Sequence, residues 1–499
     1  MQKELNEILN FIDGYEILGE DNRIITGIEQ DSRKVTMGSL FACIKGAKVD
    51  GHDFVNQAID KGAVAILAEK EVAVPDNVSL IIVEDVREII KTIVPYFYNY
   101  PARSMRVIGI TGTNGKTTTS YLTRNILRSA GYKVGVIGTI QIMIEDEILP
   151  IENTTPDIIE LQKILYKMFE KGIDYVVMEI SSHALELERI ISCEIDVAAF
   201  TNLTQDHLDF HKSIENYTKA KAKLFTLLGK SDNVKQSKSA VINIDDNASE
   251  SMLEAVCEGV NVITYGINNE ASLKAENLKV LAKGACFDII GDFGVVSLNL
   301  KITGIFNVYN VMTAVGIALA EKIDITVIKE ALENSDCVAG RFELVDEGQA
   351  FSVIVDYAHT PDGLENILKT AKQIAKNRII TVFGCGGDRD RTKRPIMGRI
   401  ATELSDIVIA TSDNPRSEDP NFILSEIEEG IIPVLGNKKY EKIPERYEAI
   451  KKAIDIATND DIVIIAGKGH ENYQILKTKT IHFDDRETAG QLLREMKNA

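Results

Sequence analysis

The chain has 499 residues, of which 44% are hydrophobic and 26% are charged, and its net charge is −19. This length exceeds what one hydrophobic core supports, so two to four domains of an ordinary globular protein are expected. The acidic balance argues against a surface that coats nucleic acid, because such binding depends on Lys and Arg neutralising phosphates. We therefore expect no nucleic-acid partner, and any anionic substrate must be held by local basic groups.

Cysteine usage and the N-terminal residues indicate the cellular compartment. The cysteines are scattered and form no CxxC pair, which favours free thiols in a reducing compartment. They are Cys43, Cys193, Cys257, Cys286, Cys337 and Cys385. The N-terminal residues lack a basic segment followed by an apolar run, so no secretory signal is predicted. No apolar stretch approaches membrane-spanning length. We expect a cytoplasmic protein without a membrane span.

The first predicted unit covers residues 1–103. It contains short strands and turns, such as residues 38–44 and 63–68, and Pro101 is a plausible linker residue. We predict an N-terminal α/β domain here.

The second unit opens with the run ITGTNGKTTT, residues 110–119, between an apolar strand pattern and a helix pattern. A Gly-rich turn at a helix start aims backbone N–H groups at an anion and adds the positive end of the helix dipole. Lys116 can reach terminal phosphate oxygens, and the hydroxyl of Thr117 can coordinate Mg²⁺. The glycines depart from the common phosphate-loop spacing, because Ile110 occupies the position of the first glycine. We predict binding of ATP or GTP.

Further buried-strand patterns follow at residues 133–138, 174–180 and 195–202, each after a helix-like stretch. Strands that alternate with helices indicate a parallel sheet. Residues 270–303 are typical of short antiparallel strands, which predicts a small sheet flanking the parallel one. We predict a central nucleotide-binding α/β domain over residues 104–336.

Alternating strands and helices continue in the third unit, which indicates a second parallel sheet of Rossmann type over residues 337–499. The predicted fold is therefore an α/β protein of three domains. Polar residues cluster after the strands, and ligands of open α/β sheets bind outside the carboxyl ends of strands. Two sheets with such ends suggest an active site in a cleft between domains. These clusters are residues 179–183, 201–211, 356–362, 384–394, 413–416 and 467–471.

Several clusters leave alternatives open when they are taken singly. Near the phosphate loop, Glu179 and His207 are candidate metal ligands, although Mg²⁺ usually prefers oxygen to histidine. Asp356 either contacts a nucleotide or caps the following turn. The loop at residues 384–395 is either a solvated basic loop or a site for phosphate or carboxylate. Its cations are Arg389, Arg391, Lys393 and Arg394.

Taken in order, these motifs resemble the Mur ligases, the ATP-dependent amide ligases that build the peptidoglycan stem peptide. The resemblance spans nearly the whole chain. It rests on DSR (31–33), TGTNGKTTT (111–119), NTTPD (153–157), EISSHAL (179–185), TNLTQDHLDFH (201–211), YTKAKAKLF (217–225), GIFNVYN (304–310), AGRFE (339–343), DYAHTPD (356–362), GCGGDRDRTKRP (384–395), DNPR (413–416) and GKGHE (467–471).

The resemblance implies a set of binding residues. The ATP-binding residues would be Gly112, Thr113, Asn114, Gly115, Lys116, Thr117, Thr118, Asn307, Asn310, Arg341 and Asp356. The residues that hold the UDP-muramoyl dipeptide would be Ser32, Asn153, Thr154, Thr155, Ser181, Leu187 and Arg189. Relatives often carry glutamine where this chain has Leu187, which departs from the family pattern. The N-terminal domain would bind the uridine diphosphate end.

The resemblance also implies two Mg²⁺ ions and a modified lysine. Lys116, Thr117 and Glu179 would bind phosphates and the first Mg²⁺, and His207 would ligate the second, with carbamylated Lys221 as a further metal ligand. Lys221 matches the family lysine that is carbamylated by CO₂, and only the register of residues 217–225 selects it over Lys219 and Lys223.

The implied reaction phosphorylates the D-glutamate γ-carboxylate of UDP-N-acetylmuramoyl-L-alanyl-D-glutamate with ATP, and an amine then attacks the acyl phosphate. The DNPR motif is the form seen in ligases that add meso-diaminopimelate. Residues implied for that amine are Arg389, Asp413, Asn414, Pro415, Arg416, Gly467 and Glu471. The alternatives are a lysine-adding ligase of the same family, a folylpolyglutamate synthase and a phosphate-loop regulatory or transport NTPase. All expected partners are small molecules, and we expect a monomer.

Overall fold

The computed structural model describes residues 1–46, 49–151, 153–230, 233–281, 284–335 and 338–498. Three main sheets follow one another along the chain, which confirms the predicted α/β class. The predicted domain boundary between residues 336 and 337, and Cys337 itself, lie outside the described residues. That boundary and the one between residues 103 and 104 stay predictions. The described cysteines are free thiols.

The first sheet unit has five main strands in the order β2-β7-β6-β5-β4. It contains strands β1 (Lys3–Glu4), β2 (Glu16–Leu18), β3 (Ile24–Ile25), β4 (Gly27–Glu29), β5 (Ser39–Ala42), β6 (Ala63–Ala68) and β7 (Ser79–Ile82) and helices α1 (Leu5–Leu9), α2 (Val55–Asp60) and α3 (Val86–Phe97). Helix α3 starts where the Asp85 carboxylate accepts hydrogen bonds from the N–H groups of Arg87 and Glu88, which satisfies two donors at the helix start. Strands β4 to β7 are parallel, and β2 is antiparallel at one edge.

The central unit is built on one sheet of eleven strands. Its strands are β8 (Arg106–Thr111), β9 (Val134–Ile137), β10 (Ile142–Ile144), β11 (Glu147–Leu149), β12 (Tyr175–Glu179), β13 (Val197–Phe200), β14 (Ser239–Asn243), β15 (Asn261–Gly266), β16 (Leu273–Leu281), β17 (Gly284–Gly291) and β18 (Gly294–Leu300). Its helices are α4 (Lys116–Ser129), α5 (Ile158–Glu170), α6 (Ser182–Glu186), α7 (Leu208–His211), α8 (Ile214–Leu228), α9 (Ser249–Glu254), α10 (Ile305–Ala320) and α11 (Ile325–Asn334).

The middle of this sheet is parallel and buried on both faces. The order is β11-β10-β9-β12-β8-β13-β14-β15-β16-β17-β18, and β8 lies between β12 and β13. Strands β8 and β12 to β14 are buried along almost their whole length and have apolar centres, as parallel strands covered on both faces do. The antiparallel strands expected at residues 270–303 are present. They continue the parallel sheet at its edge, so the predicted flanking sheet is joined to the central one.

The third unit carries a six-stranded sheet in the order β19-β20-β24-β21-β22-β23, which is parallel except for β19. Its strands are β19 (Glu343–Val345), β20 (Ser352–Asp356), β21 (Ile379–Phe383), β22 (Ile407–Ala410), β23 (Lys439–Lys442), β24 (Ile462–Ala466), β25 (Tyr473–Ile475) and β26 (Thr480–His482). Its helices are α12 (Pro361–Ile374), α13 (Lys393–Leu404), α14 (Pro420–Ile431), α15 (Arg446–Ile456) and α16 (Asp485–Asn498).

Helix α5 joins the first two units. Ile158 and Ile159, at its start, belong to the same buried cluster as Phe97 and Tyr98 of the first unit. Leu161 and residues further along α5 pack into the central core instead. Within the described part of the chain, no helix has the length and apolar character needed to cross a membrane.

Candidate active site

The phosphate loop connects β8 to α4, and two of its glycines are required by close packing. Gly112 has φ 151°, and a Cβ there would lie 1.9 Å from the Thr201 hydroxyl oxygen. Gly115 has φ 85°, and a Cβ there would lie 2.1 Å from Oδ1 of Asn310. Both φ values fall in a region that side chains other than glycine rarely adopt. The glycines therefore allow the loop to turn directly against the loop after β13 and against α10.

Lys116 and Thr117 begin helix α4 at the end of this loop. The Lys116 ammonium donates to the carbonyl oxygens of Gly112 and Thr113, each at 2.8 Å. The Thr117 hydroxyl donates to Oε2 of Glu179 at 3.0 Å. The lysine is therefore folded back over its own loop, and the threonine oxygen lies beside a carboxylate at the end of the neighbouring strand β12.

Glu179 is fully buried, and neutral groups hold its carboxylate. Besides Thr117, the backbone N–H of Thr139 donates to it at 3.1 Å and the Thr139 hydroxyl donates at 2.8 Å. Sequence reasoning missed Thr139. It lies two residues beyond strand β9, so the same rule about strand ends that located Glu179 at the end of β12 would have found it.

The structure distinguishes Lys221 from its two neighbouring lysines. Lys219 and Lys223 form ion pairs with Glu215 and Glu186 on the surface. Lys221 is 1% exposed, and its side-chain nitrogen Nζ donates to the Gly112 carbonyl at 2.8 Å. Burial and then the nearby Lys116 charge lower the pKa of Lys221 well below its usual value. The neutral amine, the form that reacts with CO₂, is therefore favoured at this position.

His207 lies in the loop after β13, close to the same region. The centroid of its ring lies 6.2 Å from the centroid of the Tyr217 ring. The Tyr217 ring centroid in turn lies 4.5 Å from Nζ of Lys221. Burial lowers the pKa of His207, which keeps its imidazole neutral near pH 7. The structure thus brings His207 into the neighbourhood of Lys221.

A cleft of about 330 Å³ opens between the phosphate loop and the third sheet. Predicted nucleotide residues that line it are Asn114, Gly115, Thr118, Asn310, Arg341 and Asp356. Asn307 contacts the cleft through Asn310, because Oδ1 of Asn307 accepts a hydrogen bond from Nδ2 of Asn310 at 3.0 Å. Arg341 reaches across the cleft and donates to the Thr117 hydroxyl at 3.1 Å.

Asp356 lies at the end of β20, where the sequence left two roles open. Its carboxylate accepts hydrogen bonds from the backbone N–H groups of Phe342 at 2.6 Å and Ala358 at 2.7 Å. Burial raises the pKa of Asp356 to about 6, while the charge of Arg341 opposes this rise. It therefore caps the local turn and also lines the cleft.

A larger cleft of about 880 Å³ lies between the first sheet and the central unit. Ser32 lines it and donates from its hydroxyl to Oε1 of Gln57 at 2.7 Å. Leu187 and Arg189 line the opposite side, and Leu187 is 49% exposed. The cleft is therefore lined by the predicted serine and arginine and by a half-exposed leucine.

The predicted residues of the NTTPD segment connect this cleft to Glu179. Arg189 donates to the Thr155 carbonyl at 2.9 Å, and the Thr155 hydroxyl donates to the Glu179 carbonyl at 2.9 Å. The N–H of Ser181 donates to Oγ1 of Thr155 at 3.1 Å. The Thr154 hydroxyl lies 3.1 Å from that of Thr139, and Asn153 is exposed.

Predicted amino-acid-binding residues meet at the carboxyl ends of β22 and β24. Asn414 Nδ2 donates to Oε2 of Glu471 at 2.8 Å, and a Cβ at Gly467 would lie 2.7 Å from Oδ2 of Asp413. Arg416, which follows Pro415, adopts φ 52° and donates from its guanidinium to the Gly387 carbonyl at 2.9 Å.

Two of the four cations in the basic loop after β21 form ion pairs with glutamates. Arg394 is fully buried and pairs with Glu418 and Glu426, and Arg391 also pairs with Glu426. These two arginines are therefore neutralised by glutamates, and the anion site at this loop stays a prediction. Arg389 is exposed and flanks Gly386 together with Arg416.

Comparison with protein-family models gives matches along most of the chain. The model described as Mur ligase family, catalytic domain, matches residues 24–106. The Mur ligase middle domain matches residues 110–318, and the Mur ligase glutamate ligase domain matches residues 340–469. The chain belongs to the Mur ligase family.

Among similar proteins, this Mur ligase is 47% identical to the UDP-N-acetylmuramoyl-L-alanyl-D-glutamate–2,6-diaminopimelate ligase of Bacillus cereus over 98% of both chains. It is 48% identical to the Bacillus licheniformis ligase of the same name over 96% of both chains. A solved structure of a ligase with that name is 33% identical, covers both chains completely and superposes with a TM-score of 0.70.

The residues of this Mur ligase fit the magnesium that the family uses. Within the described residues, no group of three or more His, Cys, Asp and Glu forms a ready-made metal cage. Mg²⁺ commonly binds through one or two carboxylates together with substrate phosphates. The buried Glu179 carboxylate beside the Thr117 hydroxyl is such a donor pair, and its charge is held by neutral groups.

Two contacts of this Mur ligase were not anticipated from single motifs. Asp362, on the first turn of α12, accepts a hydrogen bond from Asn114 Nδ2 of the phosphate loop at 2.5 Å. Lys468 is fully buried and lies 3.0 Å from Oε2 of Glu471. Both residues occur in motifs that the sequence identified, but only the folded chain shows which partners they contact.

Proposed function

We propose that this enzyme uses ATP to join meso-2,6-diaminopimelate to the D-glutamate γ-carboxylate of UDP-N-acetylmuramoyl-L-alanyl-D-glutamate, a step of peptidoglycan synthesis. The observation that carries the proposal is the contact between a phosphate loop and a second parallel sheet whose loops gather Asn414, Arg416 and Glu471. An ATP site and an amino-acid site on facing sheets suit a ligase, since both substrates must meet one carboxylate. The names of its relatives agree with this reaction.

Residues of the phosphate loop and its neighbours would stabilise the phosphoryl group during its transfer. Lys116 holds a position from which its ammonium can move from the loop carbonyls to a phosphate oxygen. Arg341 brings a guanidinium to the same place from the third sheet. Cations fixed in advance stabilise the charge on a transferring phosphoryl group without reorganisation during the reaction.

Two Mg²⁺ ions, held by Thr117 and Glu179 and by His207 with a carbamylated Lys221, would offset negative charge on the phosphate oxygens. The burial of Lys221 supports its assignment, because a neutral amine can add CO₂ and become an oxygen donor. Lys219 and Lys223 are exposed and paired, so they lack that environment.

The nucleotide substrate would lie along the cleft between the first two units. Ser32 and Arg189 line that cleft from the two units, and Arg189 is connected through Thr155 to Glu179 beside the phosphate loop. We assign the uridine diphosphate to the end at Ser32 and the muramoyl dipeptide to Arg189 and the NTTPD segment. The terminal carboxylate would then point at the phosphate loop, where it attacks the γ-phosphorus of ATP and releases ADP.

The amine would reach the acyl phosphate from the third sheet. Diaminopimelate carries a carboxylate and an ammonium at its far end, and Arg416 and Arg389 offer cations for the carboxylate. Glu471, held by Asn414, offers the acceptor for the ammonium. The near amine attacks the acyl carbon, loses a proton and displaces phosphate. L-lysine lacks the far carboxylate, so the arginines favour diaminopimelate.

Exclusion of water is the remaining requirement, because water would hydrolyse the acyl phosphate. Contacts of Asn114 with Asp362 and of Thr117 with Arg341 already join the central and third units over the site. We propose that the enzyme works as a monomer. We assign the reaction to the cytoplasm, where its co-substrate ATP is made.

The deciding experiment supplies the purified enzyme with ATP, Mg²⁺ and the UDP-muramoyl dipeptide, and offers either meso-diaminopimelate or L-lysine. Mass spectrometry of the nucleotide product identifies both the bond and the amine. We expect the diaminopimelate tripeptide together with ADP and phosphate. A lysine product alone would instead establish the lysine-adding alternative, and ATP hydrolysis that needs no dipeptide or amine would establish a regulatory NTPase.

A further inference from the structure

The third unit contains a fully buried ion pair that the proposed reaction does not use. Arg446 and Asp485 are the first residues of α15 and α16, and neither side chain has any exposed surface. Nε of Arg446 lies 2.7 Å from Oδ1 of Asp485, and Nη2 lies 2.7 Å from Oδ2. This two-pronged geometry fixes the plane of the guanidinium.

The remaining N–H groups of Arg446 point to two backbone carbonyls. Nη2 also donates to the Ala466 carbonyl at 3.0 Å, and Nη1 donates to the Ser412 carbonyl at 3.4 Å. Ala466 ends strand β24 and directly precedes Gly467, whereas Ser412 follows β22 and directly precedes Asp413. A single guanidinium therefore holds the starting points of both loops that carry the proposed diaminopimelate residues.

The sheet itself does not join these loops. Strand β21 lies between β22 and β24, so no ladder hydrogen bond connects β22, which precedes the loop with Asn414, to β24, which precedes the loop with Glu471. The hydrogen bond from Asn414 to Glu471 nevertheless requires a fixed distance between the two loops. The Gln474 amide donates to the Asp413 carbonyl at 2.7 Å. This hydrogen bond is a second connection between the two segments, beyond the far end of the loop that follows β24.

We propose that Arg446, oriented by Asp485, is a positioning residue that sets the spacing of the two loops and thereby the selectivity for diaminopimelate over L-lysine. Arg446 touches neither substrate nor the reacting atoms. It acts through the Ser412 and Ala466 carbonyls. Small displacements of binding groups have large effects on such recognition, since an error of about 1 Å can reduce a rate about a hundredfold. The inference rests on the proposed function.

The test compares Arg446→Lys with the wild-type enzyme. Lysine keeps a positive charge for Asp485, but a single ammonium lacks the planar fork that spans the carboxylate and both carbonyls. We expect the KM for diaminopimelate to rise about tenfold or more and the preference for diaminopimelate over L-lysine to fall. The KM values for ATP and the UDP-muramoyl dipeptide should stay unchanged, because those substrates bind at the other clefts.

The matched control is Arg378→Lys in the same sheet. Arg378 pairs with buried Asp461 through two nitrogens and also donates to the Ile456 carbonyl. It directly precedes β21, at the opposite end of the strands from the specificity loops. This variant should alter thermal stability at most and should leave the preference between the two amines as in the wild type.

A second variant covers the case in which Arg446→Lys fails to fold. The pair Arg446→Met with Asp485→Leu removes both buried charges, and replacement of a whole buried ion pair by apolar residues is often tolerated. This double variant should fold, and its KM for diaminopimelate should be raised above the wild-type value, as expected for Arg446→Lys. Wild-type selectivity in a folded variant, or an equal change in all three KM values, would overturn the inference. A wild-type enzyme that fails to ligate diaminopimelate would contradict the proposed function instead.

Discussion

Asn114 of the phosphate loop donates a hydrogen bond to Asp362, on the first turn of α12, across the cleft between the central and third units. The same carboxylate oxygen accepts a hydrogen bond from Asn366, one turn further along the helix. Asp362 therefore connects the loop proposed to hold ATP phosphates with the sheet proposed to hold the amine. The contact can form only when the two units are close, so it reports a closed cleft.

We predict that Asp362→Ala lowers kcat about tenfold or more, because a hydrogen bond to a charged group contributes about 1.5–3 kcal/mol. Binding of the UDP-muramoyl dipeptide, which uses the other cleft, should be unaffected. Steady-state kinetics with each substrate varied measures both quantities. Glu365→Ala is the matched control, since Glu365 lies on the same helix and pairs with Lys369 on the surface. Equal kcat values for the two variants would remove the assigned role of Asp362 in closure.

Lys221 provides a second prediction. Lys221→Ala should reduce kcat by about a hundredfold or more, the scale of losing a preorganised charge-stabilising group, whereas Lys219→Ala and Lys223→Ala should remain close to wild type. With carbon-13-labelled bicarbonate, the wild-type enzyme should show a carbamate resonance that Lys221→Ala lacks. The resonance tests the modification independently of activity. Its persistence in Lys221→Ala would assign the carbamate to another residue.

The phosphate loop permits a matched pair of glycine substitutions. Gly115→Ala places a Cβ 2.1 Å from Oδ1 of Asn310, whereas Gly131→Ala has a similar positive φ but no atom within 4 Å. Both variants should lose about 1 kcal/mol through backbone strain. Only Gly115→Ala should also lose the increase in melting temperature that ADP with Mg²⁺ produces. Thermal denaturation with and without the nucleotide measures both effects, and a normal ADP response in Gly115→Ala would contradict the assigned loop geometry.

In the proposed reaction, the choice of amine depends most directly on Arg416. Arg416→Ala should weaken use of diaminopimelate about a hundredfold, since a paired guanidinium and carboxylate contribute about 1.5–3 kcal/mol. Use of L-lysine, which lacks the far carboxylate, should change much less. Arg391→Ala, on the neighbouring basic loop, is the control because Arg391 already pairs with Glu426. A ligation assay with near-normal use of diaminopimelate by Arg416→Ala would refute the assignment.

The sequence predicted those features that depend on neighbours along the chain. Lys116 and Thr117 follow a strand and start a helix, and Glu179 ends the adjacent strand, so one rule about strand ends located all three. The three-sheet α/β organisation followed from strand and helix alternation in the same way. The continuous eleven-stranded sheet was less apparent, because edge pairing between β15 and β16 leaves no mark in local periodicity.

Features that depend on distant partners could not be predicted. The four basic residues after β21 looked equivalent in the sequence, yet Glu418 and Glu426 bind Arg394 from around α14 and leave Arg389 exposed. Lys219, Lys221 and Lys223 alternate along one helix, and only packing shows which of them is buried. The hydrogen bonds of Arg446 to two loop carbonyls required the positions of three separate segments.

Helix α5 contributes Ile158 and Ile159 to the core of the first sheet, although it lies more than fifty residues beyond the last residue of the predicted N-terminal domain. A fragment ending at residue 103 would leave Phe97 and Tyr98 without this cover and expose apolar surface to water. The first unit is therefore a poor candidate for independent expression. Because α5 begins directly after the NTTPD segment, folding of the first unit also orders the residues beside the shared cleft.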